Sequence, residues 1–190
     1  MRLRVESTPL QDLLLLTPEV FEDARGFFLE VYRADTFREA GLPDTFVQFN
    51  HSRSARNVVR GLHFQWDPPM GKLMRVTEGR AYLVAVDIRK GSPTLGQYWG
   101  VELSSQTRQQ VWAPAGFARG FAVLSEYAEI QYLCTGTYNA KGEGGILWND
   151  PQLGIRWPVS QPTLSEKDGG APTLAQWLAT PTSNLFAFEG

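Results

Sequence analysis

The sequence predicts an all-β protein: an antiparallel sandwich or barrel of the jelly-roll kind, with a few short peripheral helices. Three observations carry that expectation. Apolar, β-branched and aromatic runs of strand length recur at nearly regular spacing. Pro and Gly, 12 and 18 residues, lie between the runs as punctuation, with no linker, repeat or low-complexity tract. Helical periodicity is weak and peripheral, so helices decorate the sheets and do not cover them as in a doubly wound fold.

In chain order, residues 34–40 read as a turn or two of helix. Residues 60–65 (RGLHFQ) alternate as a strand, with Arg60, Leu62 and Phe64 on one face and His63 and Gln65 on the other. Residues 73–88 read as two strands broken by the turn-like pair Glu78-Gly79. Residues 96–103 (GQYWGVEL) and 109–113 (QQVWA) are further short strands. Residues 117–124 and 129–134 continue the series, joined by the polar Ser125-Glu126. Pro68-Pro69, Pro93, Pro114-Ala115-Gly116 and Asn149-Asp150-Pro151 separate the runs. Residues 173–179 (TLAQWLA) form a second helix, with Pro172 as its first-turn starter. A chain of 190 residues suits one domain, over residues 1–190.

Composition narrows the function. The chain is 43% hydrophobic and 20% charged with a net charge of −2, which argues against nonspecific binding to nucleic acid or an anionic membrane. The apolar run at residues 13–16 is far too short for a leader or a membrane span. The single cysteine, Cys134, allows no intramolecular disulfide, so a reducing, cytoplasmic setting is expected. The only histidines are His51 and His63, too few for the His cluster of a metal-dependent jelly-roll enzyme, so no metal is expected. Neither a glycine-rich phosphate loop nor a serine-nucleophile motif occurs, so any phosphate must be held by arginine side chains.

Four constellations could carry chemistry. His63 in RGLHFQ is either a general base or a core histidine held by hydrogen bonds. Lys72, one of only four lysines, opens an apolar strand, where it either stabilises an anion or snorkels to solvent. Tyr132 and Cys134 share a strand face; the phenol is a proton donor or packing, and the thiol reads as a small buried hydrophobe. Residues 23–30 and 48–54 concentrate arginine, amides and aromatics, which suit phosphate and stacking or simply a solvated strand pair.

Taken together, DARGFFLEVY, QFNHSRS, VVRGLHFQ, GKLMRV, VAVDIRKGSPTLGQ, WAPAGFARGF, QYLCTGTY, WNDPQLGIRWP and LSEKD resemble the dTDP-4-dehydrorhamnose 3,5-epimerase family, in the family's order over about 150 residues. The resemblance implies a cupin-type jelly roll and a cofactor-independent epimerase, usually a homodimer. Its reaction inverts C3 and C5 of dTDP-4-dehydro-6-deoxy-D-glucose in dTDP-L-rhamnose biosynthesis. It implies His63 as base, Asp168 as its carboxylate partner, Lys72 at the enolate oxygen and Tyr132 as the opposing acid. Asp168 by itself reads as a surface turn residue.

The resemblance assigns ligand contacts to Arg25, Glu30, Gln48, Phe49, Asn50, Arg60, Arg119, Tyr138, Glu143 and Lys167, some of them across the dimer. His51 is left a structural or supporting role. Two positions depart from the family's pattern. Arg119 stands where GFAHGF is usual, and Phe49 stands where QDN is common. Neither touches the expected base, acid or lysine; both bear on ligand contacts and on which carbon is epimerised. The alternatives are a 3-epimerase or 3,4-ketoisomerase on a related dTDP-4-keto sugar and, from another class, a non-catalytic sugar-binding jelly roll.

Overall fold

A computed structural model describes residues 2–188. Its strands form two antiparallel sheets and a separate hairpin. The six-stranded sheet contains β1 (Leu3–Ser7), β2 (Leu14–Pro18), β5 (Gln48–Ala55), β7 (Lys72–Glu78), β10 (Gln110–Ala113) and β12 (Tyr127–Cys134). Their spatial order is β1-β2-β10-β7-β12-β5. The five-stranded sheet contains β6 (Val59–Gln65), β8 (Arg80–Asp87), β9 (Tyr98–Ser104), β11 (Phe117–Val123) and β13 (Glu143–Gly145), in the order β13-β6-β11-β8-β9. β3 (Val20–Asp23) and β4 (Gly26–Leu29) form the hairpin. The expected antiparallel jelly-roll class is the one observed.

Alternation explains how the layers pack. Inward side chains of both sheets, among them Val76, Leu83, Ala85, Val111, Phe117, Val123 and Ile130, make the core between them. Each large one contributes roughly 1.5–3 kcal/mol by leaving water. The outer face of the five-stranded sheet buries Leu62, Phe64, Val84 and Val86 under the C-terminal segment, through Leu174, Trp177 and Phe186. The outer face of the six-stranded sheet is covered in part by α1 (Ala34–Glu39), whose Phe37 packs with Leu16, Leu73 and Trp112. Among the described residues no helix is long and apolar enough to cross a membrane.

The later strands and α1 match expectation to within two residues, and Gly79 makes the expected turn with φ +72°. Three expectations need correction. Pro172 does not start α3 (Leu174–Leu178); Thr173 caps it, in a reciprocal capping box with Gln176. Asp168 is no surface turn residue: it lies in α2 (Glu166–Gly169) and is 4% exposed. The third correction is the facing of β6. Arg60 pairs with Phe121 and His63 with Arg119, so Gly61 and Leu62 together oppose Gly120 in a β-bulge. The extra residue turns Arg60 to the side of His63, while Leu62 and Phe64 pack on the outer face.

Only glycine fits at the bulge. Gly61 has φ +125°, and a Cβ there would sit 2.6 Å from Gly120 Cα.

Candidate active site

The inward face of the six-stranded sheet lays out one wall in rows. Register sets Gln48, Cys134 and Lys72 side by side, then Asn50, Tyr132 and Met74, then Ser52, Ile130 and Val76. Directly opposed residues share a face, so each row points the same way. The facing wall comes from the five-stranded sheet, where the bulge brings Arg60 and His63 together beside Arg119. Between the walls is a cavity of about 140 Å³ that Arg60, His63, Lys72, Arg119 and Tyr132 line. Pockets enclosing a whole drug-sized ligand run to about 300–1,000 Å³, so this one encloses only part of a larger molecule.

His63 Nε2 lies 2.5 Å from Asp168 Oδ1. An ionised carboxylate only accepts, so Nε2 carries the proton and Nδ1 is left as the basic atom. The bulge completes this pair. Gly61 N–H, released from the ladder, donates to Asp168 Oδ2 at 3.3 Å. Ser165 caps α2 by accepting from Asp168 N–H at 3.1 Å, which fixes the carboxylate's backbone. Burial works to raise the Asp168 carboxyl, but the hydrogen bonds from His63, Gly61 and Ser165 outweigh it and hold it below the usual carboxylate range.

Lys72 enters as the first residue of β7, and its Nζ stands 5.1 Å over the Tyr132 ring. Burial, then the positive charge of Arg119, pulls its ammonium down to about 8. Burial also raises the Tyr132 phenol, with Cys134 adding to the rise, so Tyr132 holds its proton at neutral pH. Cys134 is fully buried and its thiol is likewise pushed up by burial.

The rim carries a second group. Tyr138 Oη and Lys167 Nζ both donate to Glu143 Oε1, at 2.7 and 2.5 Å. Those bonds outweigh burial and lower the Glu143 carboxyl. Gln48 Oε1 accepts from Tyr138 N–H at 2.7 Å, and Gln48 Nε2 donates to Asn50 Oδ1 at 3.2 Å. Arg60 Nε donates to Ser54 Oγ at 2.9 Å.

Of the residues expected at the site, His63, Lys72, Tyr132, Arg60 and Arg119 meet at the cavity, Asp168 stands buried behind His63, and Gln48, Asn50, Tyr138, Glu143 and Lys167 lie at the rim. Three do not join them. Phe49 projects from the opposite face of β5 and is 60% exposed. Arg25 sits in the β3–β4 hairpin, bonded to Asp23. Glu30, just past β4, faces Arg33 at 3.6 Å.

Two contributors escaped the sequence reading. Ser52 lines the cavity, which the two-residue period of β5 from Asn50 would have shown. Gln65 is buried, donates to the Pro68 and Thr137 carbonyls and accepts from Asn139 N–H, pinning the loop that carries Tyr138. Alternation places it on the face of His63, but nothing in the sequence marks it as the anchor of that loop. His51 faces outward, 2.8 Å from Glu129.

Comparison with known proteins finds relatives over most of the chain. The family described as dTDP-4-dehydrorhamnose 3,5-epimerase matches residues 7–176. The chain is 54% identical over 179 residues to the dTDP-4-dehydrorhamnose 3,5-epimerase of Salmonella typhimurium, covering 93% of this chain and 98% of that one. It is 39% identical over 176 residues to a dTDP-4-dehydrorhamnose 3-epimerase of Streptomyces niveus, covering 92% and 85%. A solved 3,5-epimerase of Legionella pneumophila, in complex with dTDP-4-keto-L-rhamnose, superposes with a TM-score of 0.93 at 42% identity over the whole of both chains.

Proposed function

The chain belongs to the dTDP-4-dehydrorhamnose 3,5-epimerase family, and from that premise we propose how its own residues carry the reaction. The enzyme is an isomerase that inverts C3 and C5 of dTDP-4-dehydro-6-deoxy-D-glucose, giving dTDP-4-dehydro-L-rhamnose. Both carbons flank the C4 ketone, so losing either proton leaves an enolate. His63 Nδ1 takes the proton, and the C–H electron pair moves into the new double bond and onto the C4 oxygen. The Lys72 ammonium donates to that oxygen and stabilises its charge. Asp168 holds the imidazole in orientation and offsets the charge it gains.

Tyr132 then returns a proton to the same carbon from the other side. The double-bond electrons form the new C–H bond and the ketone is restored with the carbon inverted. The imidazolium and tyrosinate left behind are reset by exchange with solvent, and the cycle repeats at the second carbon. The observation that supports these roles above all others is that His63 and Tyr132 project from facing sheets into one cavity. A base and an acid on the same wall would return the proton where it came from.

Arg60, Gln48, Asn50, Tyr138, Glu143 and Lys167 are positioned at or near the cavity mouth to hold the diphosphate and nucleoside that the cavity is too small to enclose. The reading includes a homodimer in the cytoplasm. Its support is the exposed Phe21, Phe27 and Phe28 of the hairpin and Phe49 on the edge strand β5, apolar surface that a second copy would cover. Arg25, Glu30 and Phe49 would then serve a partner's ligand; sedimentation as a monomer would remove that part.

The chemistry is tested by incubating enzyme and substrate in deuterated water. Label is expected at both C3 and C5. Label at neither carbon defeats the proton-transfer roles, and label at C3 alone places the activity with the 3-epimerases.

A further inference from the structure

Arg119 has no part in the proton transfers above, yet it occupies the cavity wall next to His63 and is only 3% exposed. No carboxylate among the described residues pairs with it. Its Nε donates to Phe117 O at 2.9 Å, and its Nη1 and Nη2 both donate to Met70 O, at 3.0 and 2.8 Å. A buried guanidinium without a counter-ion is costly, and an interior Asp or Glu is the usual remedy. Burial pulls Arg119 down to about 10, so it remains a cation throughout the neutral range. Met70 is two residues before Lys72, at the end of the Pro68-Pro69 turn that leads into β7.

We propose that Arg119 is a positioning residue that acts through Lys72: its fork fixes the backbone from which the lysine enters the cavity, and its permanent positive charge pushes against the ammonium. The other groups around that ammonium do not replace it. β6 presents Arg60 and His63, and β12 presents Tyr132 and Cys134, both of which keep their protons at neutral pH. β13 presents Glu143 and α2 presents Lys167, but these two are bonded to each other, and Asp168 of α2 is engaged by His63. β5 and β10 present no charge to it. Among the described residues Arg119 is therefore the one buried, uncompensated charge acting on Lys72, and after burial itself it weighs most in drawing that amine down.

The consequence is a pH profile. Lys72 stabilises the enolate only as ammonium, so kcat/KM falls as the pH rises past about 8. Like charge favours the neutral amine. Removing the charge of Arg119 raises the proton affinity of Lys72 and moves the alkaline limb upward.

The test compares epimerisation by the intact wild-type chain, Arg119→Gln and Arg119→Lys across neutral and alkaline pH. In Arg119→Gln the limb should move up by roughly half to one pH unit, and kcat should fall because the Met70 clamp is lost. In Arg119→Lys kcat should fall, because an ammonium cannot clamp Met70 O with a fork. A limb that stays put in Arg119→Gln, or an undiminished kcat in Arg119→Lys, overturns the proposal. Should Arg119→Gln not fold, Arg119→His, neutral above about pH 6.5, carries the same expectation. If neither folds, an undiminished kcat in Arg119→Lys overturns it. The inference rests on the role of Lys72 in the proposed reaction, which Lys72→Met tests separately. A dead Lys72→Met with an unmoved limb in Arg119→Gln sinks this inference alone; an active Lys72→Met sinks the parent role and this inference with it.

Discussion

Two buried arginines flank Phe117, and the protein treats them in opposite ways. The guanidinium of Arg89 lies between the Phe117 and Phe188 rings, at 4.7 and 4.9 Å, and is spent on carboxylates. It gives Nε and Nη2 to Asp87, both at 2.9 Å, and Nη1 to Asp12 at 2.7 Å. Burial alone would lower Arg89, but the paired carboxylates outweigh it and raise it. Arg119 meets only carbonyl oxygens and is pulled down. A compensated charge network locks β8 to the loop before β2, whereas an uncompensated charge leaves a positive cavity fit to receive an enolate. Burial is common to both; what differs is whether the opposite charge belongs to the protein or arrives with the reaction.

The largest effect expected from that contrast falls on turnover. His63→Ala removes the base from the positive cavity and leaves the rim of Tyr138, Glu143 and Lys167 intact. Turnover should fall by about 10²–10⁴-fold while dTDP affinity changes little, and the melting temperature should drop because buried Asp168 loses its donor. Calorimetric titration with dTDP beside a turnover assay reads both. Near-normal turnover would make His63 a core histidine and dissolve the functional half of the contrast.

How far each region was legible in the sequence follows from the range of the contacts that build it. Strand-length apolar runs set off by turn residues identify β7, β8, β11 and β12, because their inward side chains form a continuous core and the outer faces of β8 and β11 are buried as well. Tyr132 and Cys134 share the inward face as their spacing requires. β1 to β3 and β13 give no signal, since short strands with mixed exposure carry little periodicity, and β4 is legible only as one of a solvated strand pair. The facing of Arg60 was misread because one bulge at Gly61 inverts the period, and the glycine's positive φ is not visible in a string of letters.

Asp168 reaches Gly61 and His63 across more than 100 residues of chain, so no local pattern could reveal its burial. The resemblance to a known family singled it out, and the structure supplies the reason. The Asp87–Arg89 network was missed entirely. Asp and Arg two residues apart look like any solvated strand end until the loop carrying Asp12 closes over them.

That network gives the smaller and more diagnostic effect. Asp87 is fully buried and also accepts from Ser92 Oγ at 2.6 Å and Thr94 Oγ1 at 2.7 Å. Asp87→Ala leaves Arg89 half-neutralised by Asp12 and deprives the Ser92 and Thr94 hydroxyls of their shared carboxylate acceptor. The cost should sit near the lower end of the range for a broken buried pair, about 3 kcal/mol, with turnover of the folded protein within severalfold of wild type. Acid then separates charge loss from simple cavity formation. Burial raises the Asp87 carboxyl, but the bonds from Arg89, Ser92 and Thr94 outweigh it, so its folded value lies below its unfolded one. A group depressed in this way stabilises the fold above its unfolded value of about 3.9. That contribution drains away as pH falls through the lower folded value. The denaturation curves of wild type and Asp87→Ala should therefore converge below about pH 4, with Asp168 contributing equally to both. If the gap stays constant with pH, the loss is one of packing, and Arg89 is no better compensated than Arg119.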